Sequence, residues 1–158
     1  MFDTRPDIQH TQTRSQTHMK KALLPAGWVK PRGYANGVAA TGTQVYIAGQ
    51  IGWDANAKFT SLEFGPQAVQ ALRNVVAVLD AAGGKPEHLV RMTWYVTDKR
   101  EYLAALKDIG AAFRDLIGNY DIAMSAVEVS ALIEDDAKVE IEATAVIPAV
   151  IPATAHST

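Results

Sequence analysis

The sequence predicts an α+β fold, a mixed β-sheet with two helices on one of its faces. Three observations predict it. Apolar spacing switches along the chain between alternation and a helical period, in the order β-β-α-β-α-β-β. The strand segments alternate apolar with polar residues instead of running continuously apolar, so helices are expected over one face only. The length, 158 residues, suits one domain and is enough to bury roughly two-thirds of the surface that the unfolded chain exposes.

The elements follow in order. Residues 1–18, rich in Thr, Gln, His and Arg, hold little to bury and are expected as a disordered tail or leader. The domain is expected over 19–147, and a Pro-rich tail over 148–158. The domain opens on a stretch of turns, with Pro25, Gly27, Pro31, Gly33 and Gly37. Two short strands are expected at 37–41 and 44–50, with Thr41-Gly42-Thr43 turning between them. Ala68, Leu72, Val75, Val76 and Leu79 then keep to one helical face. Gly65-Pro66 marks that helix's start and Gly83-Gly84 its end, because Pro suits a first turn and Gly a left-handed cap.

Residues 89–97 are rich in β formers, Thr93, Trp94, Tyr95 and Val96 among them. Asp98 with Glu101 three residues on predicts a capping box. The helix that follows carries the stripe Leu103, Leu106, Ile109, Phe113, Leu116 and stops at Gly118-Asn119. Two last strands are expected at 123–130 and 138–146, joined by the acidic turn Glu134-Asp135-Asp136. Val127, Val129, Val139 and Ile141 leave too many apolar groups for the helix-free sheet face to stay in water, which predicts a subunit interface there.

Composition excludes several functions. Fifteen Lys plus Arg against seventeen Asp plus Glu give a net charge of −2, the wrong balance for a protein that neutralises phosphates. The absence of Cys excludes disulfides, thiolate nucleophiles and Cys-ligated zinc. His10, His18 and His156 lie in the tails and His88 stands alone, so no metal site and no cofactor is expected. Ser61, Ser125 and Ser130 sit in no nucleophile-elbow pattern, and no Gly-rich phosphate loop occurs. No apolar run of about 18 residues is long enough to cross a membrane, and no apolar signal segment is visible; a cytoplasmic protein is expected.

What remains is a pair of carboxylates. Glu140 and Glu142 share one face of the last strand, because strand side chains alternate. Carboxylates within V-E-I-E-A-T-A-V are expensive if buried unpaired. The plainer reading is a solvated face, or pairing with Arg or Lys across an interface. The functional one is an acid that activates water in an inter-subunit pocket.

The segments KPRGYANGV, VYIAGQIGWD, QALRNVVAVLDAAGG, LVRMTWYVTDKREYL and KVEIEATAVI, in this order and spacing over 30–147, resemble the RidA family, also called YjgF/YER057c/UK114. The resemblance implies a chorismate-mutase-like subunit and a homotrimer, with sheets forming a central barrel and small-molecule clefts between subunits. It also implies hydrolysis of reactive enamines and imines, such as 2-aminoacrylate, to 2-keto acids and ammonia. By the same resemblance Glu140 matches the family's water-positioning Glu and Tyr34 its cleft Tyr. Gly49 matches the Gly whose backbone lines the pocket, with Ala48 where a Ser is frequent.

Two positions depart from the family. Met124 stands where the resemblance places the Arg that binds the substrate carboxylate, and Leu106 where it places a pocket Asn. Met offers neither charge nor donor, and losing such a contact costs on the order of 2–5 kcal/mol of binding. A more apolar pocket is therefore expected, with Met124, Leu106, Trp94 and Trp53 as wall candidates, though Met and Trp are also ordinary core fillers. Arg32, beside Tyr34, is the favoured replacement cation over Arg91, and a solvated surface Arg is the plainer reading of either. Three functions follow: an imine deaminase with altered substrate preference, a non-catalytic metabolite-binding trimer, and, least supported, an endoribonuclease.

Overall fold

The computed structural model describes residues 20–118 and 121–149. The expected leader, 1–18, lies outside the described residues, as does the expected C-terminal tail from 150 onward.

Among the described residues, six strands and three α-helices follow one another: β1 (Lys20–Leu23), β2 (Gly37–Ala40), β3 (Thr43–Ile51), α1 (Phe64–Ala81), β4 (Leu89–Val96), α2 (Lys99–Ala104), α3 (Leu106–Leu116), β5 (Ala123–Glu128) and β6 (Val139–Ile147). A single 3₁₀ turn, Pro86–His88, leads into β4. The main sheet has the order β3-β6-β4-β5. Its β3–β6 and β6–β4 pairs are antiparallel and its β4–β5 pair is parallel. The sheet is therefore mixed, and a crossover through α2 and α3 joins the parallel pair.

One sheet face lies under the helices. Met92, Trp94 and Val96 of β4 stand opposite Ala143, Ile141 and Val139 of β6. All six are buried in one cluster with Leu72, Val75 and Leu79 of α1 and with Ile109 and Phe113 of α3. The expected α1 stripe is the observed one, with Val76 packed at its margin. Pro66 is the third residue of α1, where its missing N–H has no helical partner to lose. The helix ends in a Schellman motif: Gly83 N–H donates to Asp80 O at 2.8 Å and Gly84 N–H to Leu79 O at 3.0 Å. Gly83 takes φ +72°, which a side-chain-bearing residue would adopt only with strain.

The structure corrects four expectations. The turn-rich opening contains a strand, β1, paired antiparallel with β2 from Lys20↔Ala40 to Leu23↔Gly37. K-K-A-L carries no alternation, and only the distant partner makes it a strand. The second helix is two, because the chain turns at Ala105, whose N–H is shared by the Glu101 and Tyr102 carbonyls at 3.0 and 3.2 Å. The capping box is half made. Asp98 Oδ1 accepts from Arg100 N–H at 2.7 Å, which holds the Asp98 carboxyl below its ordinary value, while Glu101 instead accepts from Lys138 Nζ at 2.7 and 2.9 Å. Finally, Val139 and Ile141 belong to the helix-covered core. The opposite face is mixed polar, with Arg91, Thr93 and Tyr95 of β4 beside Thr144, Glu142 and Glu140 of β6.

One buried polar side chain fastens α1 to the loop before β6. Gln67 is 1% exposed. Its Nε2 donates to Ser61 O at 3.1 Å and Asp136 O at 2.8 Å, and its Oε1 accepts from Lys138 N–H at 2.8 Å. Gln67→Leu keeps the bulk and strands these backbone groups. Each buried unsatisfied group costs about 1–3 kcal/mol, so the expected loss is about 2–4 kcal/mol, read as a lower denaturation midpoint at unchanged slope. A loss below 0.5 kcal/mol, within the ordinary range for surface changes, would show that water replaces the amide.

Candidate functional site

The residues expected at the site form two groups, on opposite faces of the sheet. Tyr34, Arg32, Met124, Leu106 and Trp94 line one groove of about 740 Å³. Glu140, Gly49 and Ala48 lie together on the other face.

The groove runs between β5 and the α2–α3 pair. Met124 and Ala126 of β5 pair with Met92 and Trp94 of β4, and so project to the helix side. The loop bearing Arg32 and Tyr34 is fastened beside β5, where Ala35 N–H donates to Ile122 O at 2.8 Å. Tyr102, Leu103, Leu106 and Phe113 form the helical wall. The turn at Ala105 swings Leu103 and Leu106 out of the core, leaving them 50% and 44% exposed while Ile109 and Phe113 stay buried. The Tyr102 ring lies 6.2 Å from Trp94 and 6.1 Å from Phe64, and burial pushes its phenol up from the ordinary value. Leu103 and Leu106 exposed around a concavity are the mark of a binding surface rather than of a scattered apolar residue.

Tyr102, Leu103 and Phe113 are wall residues that sequence reasoning did not place at the site. The signal was present: 102, 106, 109 and 113 keep one helical face, spaced i, i+4, i+7, i+11.

On the other face, β3 carries a bulge. Its register with β6 jumps from Ile47↔Ala143 to Gln50↔Ile141, so Ala48 and Gly49 together oppose Glu142. The bulge makes room for Glu140. A Cβ built on Gly49 would lie 1.7 Å from Glu140 Oε1. The carboxylate therefore occupies the space that any other residue at 49 would fill. Glu140 is half-buried, and among the described residues no hydrogen bond or ion pair holds it. Its neighbour Glu142 does have a partner: Tyr95 Oη donates to Glu142 Oε1 at 3.0 Å, and that bond first, with desolvation second, raises the Tyr95 phenol. The two glutamates that the sequence pairs on one face are thus unlike in their surroundings.

Other candidates fall elsewhere. Trp53 packs its ring 6.3 Å from Phe59, outside the groove. Arg91 lines a shallow depression with Ala48, Thr93 and Glu142, on the face away from Met124. His88 is bound locally, its Nδ1 accepting from Lys85 N–H at 3.0 Å. Among the described residues no three His, Asp or Glu side chains are grouped to hold a metal ion, and no helix is long and apolar enough to cross a membrane.

Comparison with known proteins gives a consistent picture. Residues 29–147 match the family model described as Endoribonuclease L-PSP. A 2-iminobutanoate/2-iminopropanoate deaminase of Salmonella typhimurium is 35% identical over 113 residues, covering 72% of this chain and 86% of that protein. Among solved structures, the Yersinia pestis protein YyfB of the Rid family, whose function is unknown, superposes with a TM-score of 0.71 at 30% identity, over 82% of this chain and 99% of that one. Escherichia coli TdcF with bound serine superposes with a TM-score of 0.60 at 30% identity, over 77% and 91%.

Proposed function

The chain belongs to the RidA (YjgF/YER057c/UK114) family, and from that premise we propose that it is an enamine/imine deaminase with a substrate preference shifted away from small imino acids. The observation that carries this reading is the Glu140 carboxylate, seated against the Gly49 bulge and held by no hydrogen bond or ion pair among the described residues. A carboxylate so placed is available to a water molecule. Glu140 takes a proton from water as the oxygen bonds to the imine carbon. The protonated acid then returns that proton to nitrogen, and the carbinolamine collapses to a carbonyl compound and ammonia. An enamine enters by first taking a proton on carbon and giving one up from nitrogen to become the imine. Turnover of a ladder of imines, followed as ammonia release in the parent and in Glu140→Gln, tests the reading.

The reading requires assembly. Glu140 and Gly49 lie on the sheet face opposite Tyr34, Met124 and Leu106. They meet only if the open face of one copy is set against the groove of another. A homotrimer does this three times and covers the half-exposed Val127 and the exposed Tyr46. Light scattering at micromolar concentration is expected to give three times the 17.0 kDa protomer mass; a monomer mass would remove the composite site.

Met124 decides the substrate preference. It faces the groove at the position expected to anchor the substrate carboxylate, and it supplies no charge. Imines such as 2-iminopropanoate, with little beyond their carboxylate to hold, are expected to turn over weakly. Met124→Arg is expected to raise kcat/KM on 2-iminopropanoate at least tenfold, about 1.4 kcal/mol of the roughly 2–5 kcal/mol such a contact carries. No gain would show that position 124 does not face the reacting carboxylate. The apolar groove also favours a second reading, a trimer that holds a metabolite without turning it over, and absence of turnover on every imine would put that reading first. The family model's endoribonuclease description finds less support, because Arg32 is the one charged side chain among the described residues of the groove.

A further inference from the structure

We infer that the chain beyond β6 is a strap: Val150 and Ile151, which follow Ala149, pack into the seam between α1 and the end of α3 on their own protomer. The seam is a concavity of about 310 Å³, walled by Val76 and Ala77 of α1, Leu116 of α3, and Gly84 and Pro86 ahead of β4. It shares no residue with the groove beside β5 or with the depressions of the open sheet face. The seating of one copy on another proposed above therefore does not use it.

The exit of the chain from the sheet delivers that segment to the seam. Ile147 closes β6 and is paired with Thr43 of β3. A Cβ built on Gly42 would overlap Ile147 O and stand 3.1 Å from Pro148 Cα, and one built on Gly84 would stand 3.2 Å from Ile147 Cδ1. The two glycines hold the exit between them, and Gly84 is itself a wall of the seam. Four extended residues beyond Ile147 span about 13 Å. That matches the run of α1 from Arg73 to Ala81, about 12 Å at the helical rise. Ile151 thus reaches the Val76–Ala77 wall without leaving its own protomer.

The residues that arrive suit what they meet. Ala145-Val146-Ile147-Pro148 is repeated, letter for letter, as Ala149-Val150-Ile151-Pro152. In the first copy the Ile side chain lies beside Gly84. The second copy lies beyond residues 29–147, which match the family model, so the shared fold supplies no cover for its Val and Ile. Pro148 and Pro152 donate no N–H and bias the residues before them to extended backbone, so side chains and not a strand ladder must hold the segment. Residues 148–158 carry no Asp, Glu, Lys or Arg, so no ion pair draws the segment elsewhere. The charged residues around the seam, Arg73, Asp80 and Lys85, are exposed and keep their charges in water while the apolar walls take the side chains. A tether this short holds the segment at an effective concentration in the millimolar range, which favours the protomer's own seam over that of another copy.

The chain has no Cys, so two introduced thiols report the contact without competition. In the full chain, Ile151→Cys with Ala77→Cys is expected to close a disulfide within one protomer under oxidised glutathione. It should do so at least tenfold faster than Ile151→Cys with Val78→Cys, because a disulfide needs Cα atoms about 4.4–6.8 Å apart and Val78, though 39% exposed, does not line the seam. Peptide masses and a denaturing gel without reductant separate bonds within a chain from bonds between chains. Ile151→Asp and Ala77→Glu, each in the full chain, are expected to lower the thermal midpoint by about 2–4 °C. The double variant should lose no more than the larger single loss, because both changes empty the same contact. Equal closure rates at 77 and 78, bonds formed chiefly between chains, or midpoint losses that add in the double variant would each overturn the strap.

Discussion

Glu140→Gln is expected to fold and assemble as the parent does and to lose at least a hundredfold in kcat on any imine that the parent hydrolyses. The change is isosteric, and it removes no ion pair among the described residues, so little stability goes with it. What it removes is basicity. A neutral amide cannot take the proton of the attacking water, and a positioned acid–base group contributes typically about 10²–10⁴-fold. The position is also the one least able to be replaced by a neighbour. Glu142, on the same face, already accepts the Tyr95 hydroxyl at 3.0 Å. Ammonia release under saturating substrate, with the assembly mass and the thermal midpoint measured beside it, checks the result. Unchanged turnover in a well-folded Glu140→Gln would remove Glu140 from the chemistry.

Gly49→Ala is expected to cost at least tenfold in activity while moving the thermal midpoint by only a few degrees. The added Cβ would stand 1.7 Å from Glu140 Oε1, 2.6 Å from Cδ and 2.8 Å from Cγ. All three atoms belong to the far part of a flexible side chain, so the carboxylate moves and the backbone does not. Gly49 is not among the positive-φ glycines, so alanine brings no backbone strain of its own. A displacement on the order of 1 Å at a reacting group can cost about 10²-fold. If the loss comes through Glu140, the two changes are not additive, and Gly49→Ala adds nothing in the Glu140→Gln background. An equal further loss in that background would mean that Gly49 acts on its own, through its backbone or through the bulge.

The interplay of local and distant information is visible element by element. Helix α1 could be read from residues because its signals are local: a stripe at the helical period, Pro66 near the start, Gly83-Gly84 at the end, all within one segment. Strand β1 could not, because K-K-A-L has no pattern and its pairing with β2 is made across some twenty residues. The break at Ala105 was hidden for a related reason. Nothing in Leu103-Ala104-Ala105-Leu106 disfavours a helix, and the break accompanies separate packing of α2 and α3 against α1.

For the site the division is sharper. By itself the sequence determined that Glu140 and Glu142 share a face, that Val139 and Ile141 take the other, and that Met124 and Leu106 are apolar, because strand parity and residue identity are local facts. It also carried the family, through motifs in their order. Only the tertiary structure decided which of those faces the helices cover, that a bulge at Ala48-Gly49 aims Glu140, that Glu142 is held by Tyr95 and Glu140 is not, and that Tyr34 and Met124 open on the side away from both glutamates. Parity says which residues travel together and not where they go. Their destination depends on contacts between segments far apart in the chain, whose free energy no local pattern records.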